Sequence, residues 1–283
     1  MALSCAACWA VAVMLFRRVG AIDAKALNLF KNIIASVLLL ATMALLGHGW
    51  DTHRATEDWL RLAASAVLGL SIADTLFLAG LQRVGPSVAA VTDCIYSPIV
   101  MLLSALLIGE QLRGGLLLGA PLVVAGLAVV AWQGRETIEH LDMGGVALCL
   151  GGVATTALAV VVAKPALNRS DLLEATTFRL LVGAVAIVVW DGLTGKIWRS
   201  FSLFRPQPAW RAAVPATLIG TYLSMLLWLG GIKYTMASRA ALLNQMGTVF
   251  TLLLSAWLGD KIPRRRWLGA GLAMAGAMVV LAG

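Results

Sequence analysis

Charged residues are scarce in this sequence. Asp, Glu, Lys and Arg together make up 13% of its 283 residues, while 60% are hydrophobic. Soluble globular domains carry about 25% charged residues, so the composition excludes an ordinary soluble enzyme. Histidine occurs only three times, at His48, His53 and His140, all in predicted loops, and the four cysteines fall in predicted helices. The sequence therefore predicts neither a disulfide framework nor a metal site, and we expect no cofactor.

Long uncharged runs fill most of the chain. Residues 143–163, 240–259 and 267–283 contain no Asp, Glu, Lys or Arg, and each approaches the roughly 20 residues that cross a bilayer as a helix. Since helices satisfy their own backbone in lipid, we expect an all-α membrane protein. The predicted transmembrane helices cover residues 2–16, 27–46, 62–82, 87–108, 115–132, 143–163, 174–190, 212–232, 239–258 and 267–282.

The basic residues give a formal net charge of +8, yet they lie mainly at the ends of these predicted helices. At such positions Lys and Arg set membrane topology, so we expect a lipid bilayer as partner and no nucleic acid. The loops opposite the two termini carry the larger number of Lys and Arg, which predicts termini outside the cytoplasm. The sequence leaves the oligomeric state open.

The second half of the chain repeats the first. The segment Leu107-Ile108-Gly109-Glu110 and the segment Trp257-Leu258-Gly259-Asp260 lie 150 positions apart, and Gly119 has the same offset from Gly269. With five crossings in each half, the second copy is inverted relative to the first, as in many carriers. We therefore expect a first repeat at 1–132, a linker at 133–142 and a second repeat at 143–283.

Two segments resemble the signature of EamA-type carriers in the drug/metabolite transporter superfamily. They run from Leu81-Gln82-Arg83-Val84-Gly85-Pro86 through Tyr96-Ser97-Pro98 to Glu110, and from Ile232-Lys233-Tyr234 to Gly259-Asp260. The resemblance implies ten helices, as two inverted five-helix repeats, around a cavity for small metabolites such as amino acids. It also implies cytoplasmic termini, against the charge distribution. The family's second proline, opposite Pro98, is replaced here by Thr248.

Acidic residues inside predicted helices mark the candidate site, because a carboxylate in lipid is costly unless it faces the bundle interior. Asp74 falls past the centre of the third predicted helix, on one face with Ser71 and Thr75. Asp93 lies near the start of the fourth. We expect both to bind substrate, and Asp74 to exchange a proton during transport. The alternative for Asp74 is a carboxylate that only holds helices together.

Aromatic and amide side chains complete the predicted substrate site. Its members besides the two acids are Tyr96, Tyr222, Trp228, Asn244 and Gln245. Aromatic faces suit an apolar side chain or a cation. Pro98 removes a backbone donor and permits bending, so we expect it to act in gating, or alternatively to produce only a packing kink.

Two basic residues occupy matched positions in the halves: Lys31 follows Phe30, and Arg179 follows Phe178. The simple expectation is that both side chains snorkel to the headgroups. The alternative is that the protein is a flippase in which these two residues bind an anionic or lipid-linked headgroup. We favour a secondary transporter of amino acids or related metabolites, proton-coupled through Asp74, in a bacterial inner membrane. An enzyme is not expected, since no nucleophile, metal or phosphate motif accompanies the histidines.

Overall fold

The chain folds into a helical bundle. The computed structural model describes residues 1–17, 24–112, 114–131, 142–195, 197–259 and 262–282, and every regular element in these ranges is a helix. The elements of the first half are α1 (Ala2–Arg17), α2 (Ala24–Leu45), α3 (Thr56–Ala66), a π-helix π1 (Val67–Ala73), α4 (Asp74–Asp93), α5 (Tyr96–Ile108) and α6 (Gly114–Ala131). The predicted linker at 133–142 lies outside the described residues except for Asp142.

The second half follows a similar order, with two short extra elements and with two helices in place of the continuous α4. Its elements are α7 (Met143–Arg169), α8 (Leu172–Leu193), the short α9 (Ile197–Ser200), a 3-10 turn (Ser202–Phe204), α10 (Trp210–Thr217), a second π-helix π2 (Leu218–Leu223), α11 (Ser224–Tyr234), α12 (Ala237–Asn244), α13 (Gly247–Trp257) and α14 (Arg264–Ala282). Asp74 and Ser224, which follow the two π-helices, stand 150 positions apart, as the sequence repeat requires.

Within the described residues, eight helical stretches are long and apolar enough to cross a membrane. They are Lys25–Leu45, Thr56–Leu81, Val88–Ile108, Gly114–Ala131, Met143–Arg169, Leu172–Leu193, Trp210–Tyr234 and Ala237–Trp257. Helix α1 contributes a shorter apolar stretch, Ala2–Ala12. Helix α14 is apolar after an N-terminal run of three arginines, residues 264–266.

Polar side chains and glycines define several helix ends. Asp142 begins α7 by accepting a hydrogen bond from the Gly144 amide at 2.9 Å, and Asp171 begins α8 by accepting one from Leu173 at 2.9 Å. Such carboxylates satisfy free amides in the first turn. Helix α5 ends at Gly109, whose φ of 65° favours glycine.

Corresponding helices of the two halves pack against each other in opposite directions. A Cβ on Gly119 would meet the Gly276 oxygen at 2.6 Å, and one on Gly126 would meet the Gly269 oxygen at 2.5 Å. As residue numbers rise along α6, those of the facing residues on α14 therefore fall. Helices α2 and α8 also run in opposite directions, since Lys25 at the start of α2 pairs with Asp191 near the end of α8 at 3.6 Å.

The helix boundaries depart from the prediction between the third and fourth crossings. Helix α4 is continuous from Asp74 to Asp93, although the sequence predicts a break at residues 83–86. The helix instead ends at Cys94 and Ile95, inside the predicted fourth crossing. Hydropathy locates apolar runs but not the turns within them, which explains the difference.

Candidate functional site

Two broken helices meet at the centre of the candidate site. The turn at 94–95 separates α4 from α5, the turn at 245–246 separates α12 from α13, and both turns lie within candidate membrane spans. The amide of Gln245 joins them: its nitrogen donates to the backbone oxygen of Asp93 at 2.5 Å, and its oxygen accepts from the Ser97 hydroxyl at 2.6 Å. Non-helical backbone at membrane depth is tolerated where it is buried in protein or lines a polar cavity.

Pro98 lies just beyond the first of these turns. Because proline has no amide hydrogen, it cannot donate to the Cys94 oxygen. The amides of Cys94 and Ile95 bond three residues back, to Val91 and Thr92. The second turn forms without a proline. There the residue at the corresponding position is Thr248, whose backbone amide donates to the backbone oxygen of Gln245 at 3.2 Å. Proline is therefore not required for the break, and its role in gating stays a prediction.

Asp93 and Asn244 end the helices that precede the two turns. The Asp93 side chain is exposed, whereas Asn244 is half-buried and its oxygen has no hydrogen-bond partner in the described residues. An exposed carboxylate on a membrane helix needs water or a polar ligand. Each side of the junction thus carries an acceptor that has no hydrogen-bond partner within the described residues.

Asp74 lies at the point where π1 passes into α4. Its carboxylate faces Lys31 of α2 at 4.0 Å, and Asn28, one turn before Lys31, also contacts it. The side chains are 34% exposed for Asp74 and 19% for Lys31, so the bundle encloses most of both. The Asn28 amide nitrogen donates to the Leu70 oxygen of π1 at 3.3 Å. The π-helix, a form frequent at functional sites, thus carries an ion pair at its end.

Tyr96, Trp228 and Arg179 form a second polar group beside the helix junction. The Arg179 guanidinium lies 5.7 Å from the Trp228 ring centroid. The Tyr96 hydroxyl is buried next to Trp228 and interacts electrostatically with both Arg179 and Asp93. It makes no hydrogen bond of normal geometry within the described residues. Tyr96 therefore connects the aromatic group to the junction around Asp93.

Arg179 is the clearest correction to the sequence prediction. Its side chain is only 2% exposed, and it is among the largest fully buried side chains of the described bundle. It therefore does not snorkel to the headgroups. Lys31 also departs from that expectation, because it pairs with Asp74.

Tyr222 has a different environment from the rest of the predicted site. Its hydroxyl shares a hydrogen bond of 2.8 Å with Thr42 of α2, so it links the two halves of the chain. Two apolar surface grooves contain none of the predicted site residues. The larger is lined by Trp50, Trp59, Phe178, Leu181, Val182 and Val185, and the other by Ala7, Ala10, Val11, Phe250, Leu253, Leu254 and Trp257.

Sequence reasoning missed a polar stripe on α2. Asn28, Asn32 and Ser36 follow each other at four-residue intervals, and all three are buried. Neither polar atom of the Asn32 side chain has a hydrogen-bond partner within the described ranges. The regular spacing of amides in an apolar helix was the available signal, since such groups cost free energy when buried without partners.

One end of the bundle is tied together by contacts between the halves. We call it the Arg54 face, where α3, α8 and α12 begin and α2, α5, α7 and α11 end. Arg54 forms a buried ion pair with Glu174, and Arg169 donates from Nε to Asp58 at 2.9 Å. Each pair joins the first half to the second. These contacts connect the two halves at this face.

Two more contacts reinforce the Arg54 face. Lys164 donates to the Thr235 oxygen at 2.6 Å, beyond the last turn of α11. Glu110 accepts from the amides of Ala237 at 2.6 Å and Ser238 at 3.1 Å, which satisfies free donors at the start of α12.

The fold and the buried polar groups define a multi-pass α-helical membrane protein with discontinuous helices at its centre. The model of the EamA-like transporter family matches residues 1–132 and 143–282. The chain belongs to this family, and it is a membrane transporter. The family match also confirms the resemblance seen in the sequence.

Curated relatives carry transporter names. The chain is 25% identical over 214 residues to "Uncharacterized transporter YyaM" of Bacillus subtilis (strain 168), covering 75% of this chain and 70% of the relative. It is 24% identical to "Probable terminal-alkyne amino-acid exporter" of Streptantibioticus cattleyicolor, covering 90% and 82%. A solved crystal structure matches with a TM-score of 0.82 and 18% identity over 98% of this chain and 94% of its own, a likeness of fold alone.

Proposed function

We propose that this protein is a secondary transporter that moves amino acids or related metabolites across a bacterial inner membrane by alternating access. The observation that carries the proposal is the junction of the two broken helices, where Gln245 bonds to Ser97 and to the Asp93 backbone. Carriers commonly bind substrate where interrupted helices of two repeats meet. The name of the relative from Streptantibioticus cattleyicolor supports the substrate class, and also export as the direction.

The proposed architecture is ten transmembrane helices in two inverted five-helix repeats, residues 1–132 and 143–283. It is supported by the opposite directions of α6 and α14, which correspond by a 150-residue offset. Two helices that correspond in sequence and run oppositely imply an inverting two-fold relation between the halves. Such a relation gives the transporter two gates with similar construction.

The proposed substrate site lies between Asp74, Asp93, Tyr96, Trp228, Asn244 and Gln245, with Tyr222 at its edge. Asp93 and Asn244 offer unpaired acceptors for an ammonium group. The Trp228 ring offers an apolar face, which also attracts cations. Pro98 next to the first turn allows α5 to change direction during gating.

Asp74 is the proposed coupling residue. Its partner Lys31 is 4.0 Å away, beyond direct hydrogen-bond distance, and both side chains are partly exposed. A carboxylate in this setting can exchange its proton with water on one side and respond to substrate on the other. Loss of the proton strengthens the attraction to Lys31, which links the protonation of Asp74 to the position of α2.

Transport in proteoliposomes tests the proposal. Purified protein is assayed with each of the twenty L-amino acids in two ways. Counterflow is measured without a pH gradient, and accumulation is measured with a pH gradient of one unit across the membrane. Such a gradient supplies about 1.4 kcal/mol per proton, or about tenfold accumulation at one proton per substrate. We expect D74N to lose the accumulation and keep counterflow, because neutral Asn cannot carry the proton.

The matched control is E57Q, which removes an exposed carboxylate paired with Arg61 near the start of α3. It should leave both assays unchanged. Full pH-driven accumulation in D74N would rule out Asp74 as the coupling residue. Transport of a lipid-linked sugar, with no amino acid moving in either assay, would favour the flippase instead.

A further inference from the structure

Arg179 is a buried cation without a counter-ion among the described residues. Its Nε and Nη1 atoms are buried and make no hydrogen bond there. No ion pair in the described bundle includes it, and only Tyr96 and the Trp228 ring interact with it electrostatically. Burying a charge without a partner is strongly unfavourable, so a chain that retains one in its interior needs a reason.

The internal repeat supplies a direct comparison for this residue. Lys31 holds the matching position in the first half, one residue after a phenylalanine, and its partner is Asp74 at 4.0 Å. The residue that corresponds to Asp74 in the second half is Ser224, 150 positions later. Ser224 shares a hydrogen bond of 3.2 Å with Cys5 of α1. The second half therefore has the basic residue but not the acid.

The surroundings of Arg179 suit a small organic anion. Helix π1 passes close to the guanidinium, since a Cβ on Gly69 would lie 3.8 Å from Nη2. The Tyr96 hydroxyl offers a second unpaired donor nearby. Trp228 presents an aromatic face on the same side and is only half-buried. Two kinds of donor beside one apolar wall can hold a carboxylate that is attached to an apolar group.

We propose that Arg179 binds the carboxylate of the transported substrate, which takes the place that Asp74 fills for Lys31. This inference rests on the proposed function and names the group by which the substrate is recognised. A guanidinium can donate two parallel hydrogen bonds to a carboxylate, which gives orientation as well as strength. The ammonium group of the substrate then lies towards Asp93 and Asn244.

The single charge of Arg179 favours a carboxylate over a phosphate group. A phosphate monoester carries about −1.5 to −2 charges at neutral pH, whereas a carboxylate carries one. Lys31, the basic residue at the matching position, is already paired with Asp74. One guanidinium therefore balances a carboxylate and leaves a phosphate monoester partly uncompensated.

Thermal unfolding of the purified full-length protein tests this assignment with defined probes. The probes are 3-phenylpropionate and isovalerate, each compared with its uncharged amide, and glycerol 1-phosphate as a model of a lipid headgroup. A ligand that binds only the folded state raises Tm with its concentration. In the wild type we expect both acids to raise Tm more than their amides and more than glycerol 1-phosphate.

Three variants locate the effect. R179Q should lose the difference between acid and amide, and R179K should keep part of it, because lysine retains the charge but not the fork. S224D supplies the missing acid and should also lose the difference. The control R61Q removes an exposed charge paired with Glu57 and should respond like the wild type.

Unliganded stability separates binding from a structural role. Because R179Q removes an unpaired buried charge, its Tm without ligand should equal or exceed that of the wild type. A lower Tm in R179Q, an undiminished difference between acid and amide, or a larger shift with glycerol 1-phosphate would each overturn the proposal. An acid effect that depends on Arg179 while no amino acid is transported would contradict the proposed function instead.

Discussion

Gln245 shows how much a single amide can control at the centre of this bundle. Its two ends reach a hydroxyl and a backbone oxygen on the opposite broken helix. Hydrogen bonds between membrane helices contribute about 0.6 kcal/mol each on average. A residue that satisfies both sides of a helix break contributes more, because its removal leaves buried polar groups without partners.

Replacing Gln245 with leucine tests this contribution. Q245L keeps the volume but leaves the Ser97 hydroxyl and the Asp93 oxygen unpaired, so we expect a loss of about 1–3 kcal/mol in the free energy of unfolding. Thermal or denaturant unfolding in detergent measures it. The control is T251V, which removes a bond of 2.8 Å from Thr251 to Gly247 within one helix. A smaller loss in Q245L than in T251V would contradict this view of the junction.

Some of the site was predictable at the residue scale, and some was not. A carboxylate in an apolar run is visible in the sequence, so the sequence alone identifies Asp74 and Asp93 as candidates. The burial of Arg179 was not visible, because a basic residue eight positions into a helix can snorkel or turn inward with equal ease on sequence grounds. Only the packing of α8 against π1 and α11 decides the matter.

Helices α6 and α14 pack closely against each other because glycines lie at their contact. Gly119 and Gly126 face Gly276 and Gly269, and the backbones approach too closely for a side chain. Small residues at such positions let membrane helices pack closely. The spacing of these glycines in the sequence predicts the contact. Their pairing in reverse order shows that the two helices run in opposite directions.

Gly126 on α6, which faces α14, and Gly271 on the open side of α14 offer a matched pair of substitutions. A Cβ on Gly126 would lie 2.5 Å from the Gly269 oxygen, whereas a Cβ on Gly271 would meet nothing within 4 Å. We expect G126A to lower Tm because the helices must separate. G271A should hold or raise Tm, since alanine is better than glycine in a helix by about 1 kcal/mol. Equal Tm values for the two variants would contradict the packing described here.

The helices and turns, like the site residues, are only partly predictable from the sequence. Long apolar runs predict the crossings well, because hydrocarbon thickness sets their length. The π-helices before Asp74 and Ser224 and the turns at 94–95 and 245–246 leave no hydropathy signal. They arise from packing between helices from different halves, such as α7 against α4. Pro98 marks one turn, but its counterpart Thr248 shows that the signal is incomplete.

For the molecule as a whole, the contacts at the Arg54 face are the feature that the proposed alternating access has to reverse. The pairs Arg54 with Glu174 and Arg169 with Asp58 both join the halves there. Arg54 and Glu174 are both buried, so removing one partner of that pair costs about 3–5 kcal/mol. The Arg169 side chain is 56% exposed, and its pair with Asp58 contributes about 0–1 kcal/mol. In the proposed alternating-access cycle, both pairs separate each time this face opens.

Cross-linking at the Arg54 face tests that claim most directly. In a background without native cysteines, D58C/R169C is treated with a short bis-methanethiosulfonate reagent, which is cleaved by reductant. The control is E57C/R61C, which joins two residues of α3 that already contact each other within one half. Counterflow of amino acids in proteoliposomes is measured before treatment, after it, and after reduction. We predict that cross-linking stops transport in D58C/R169C and that reduction restores it, with no effect in the control; undiminished transport by the cross-linked protein would contradict alternating access between the two halves.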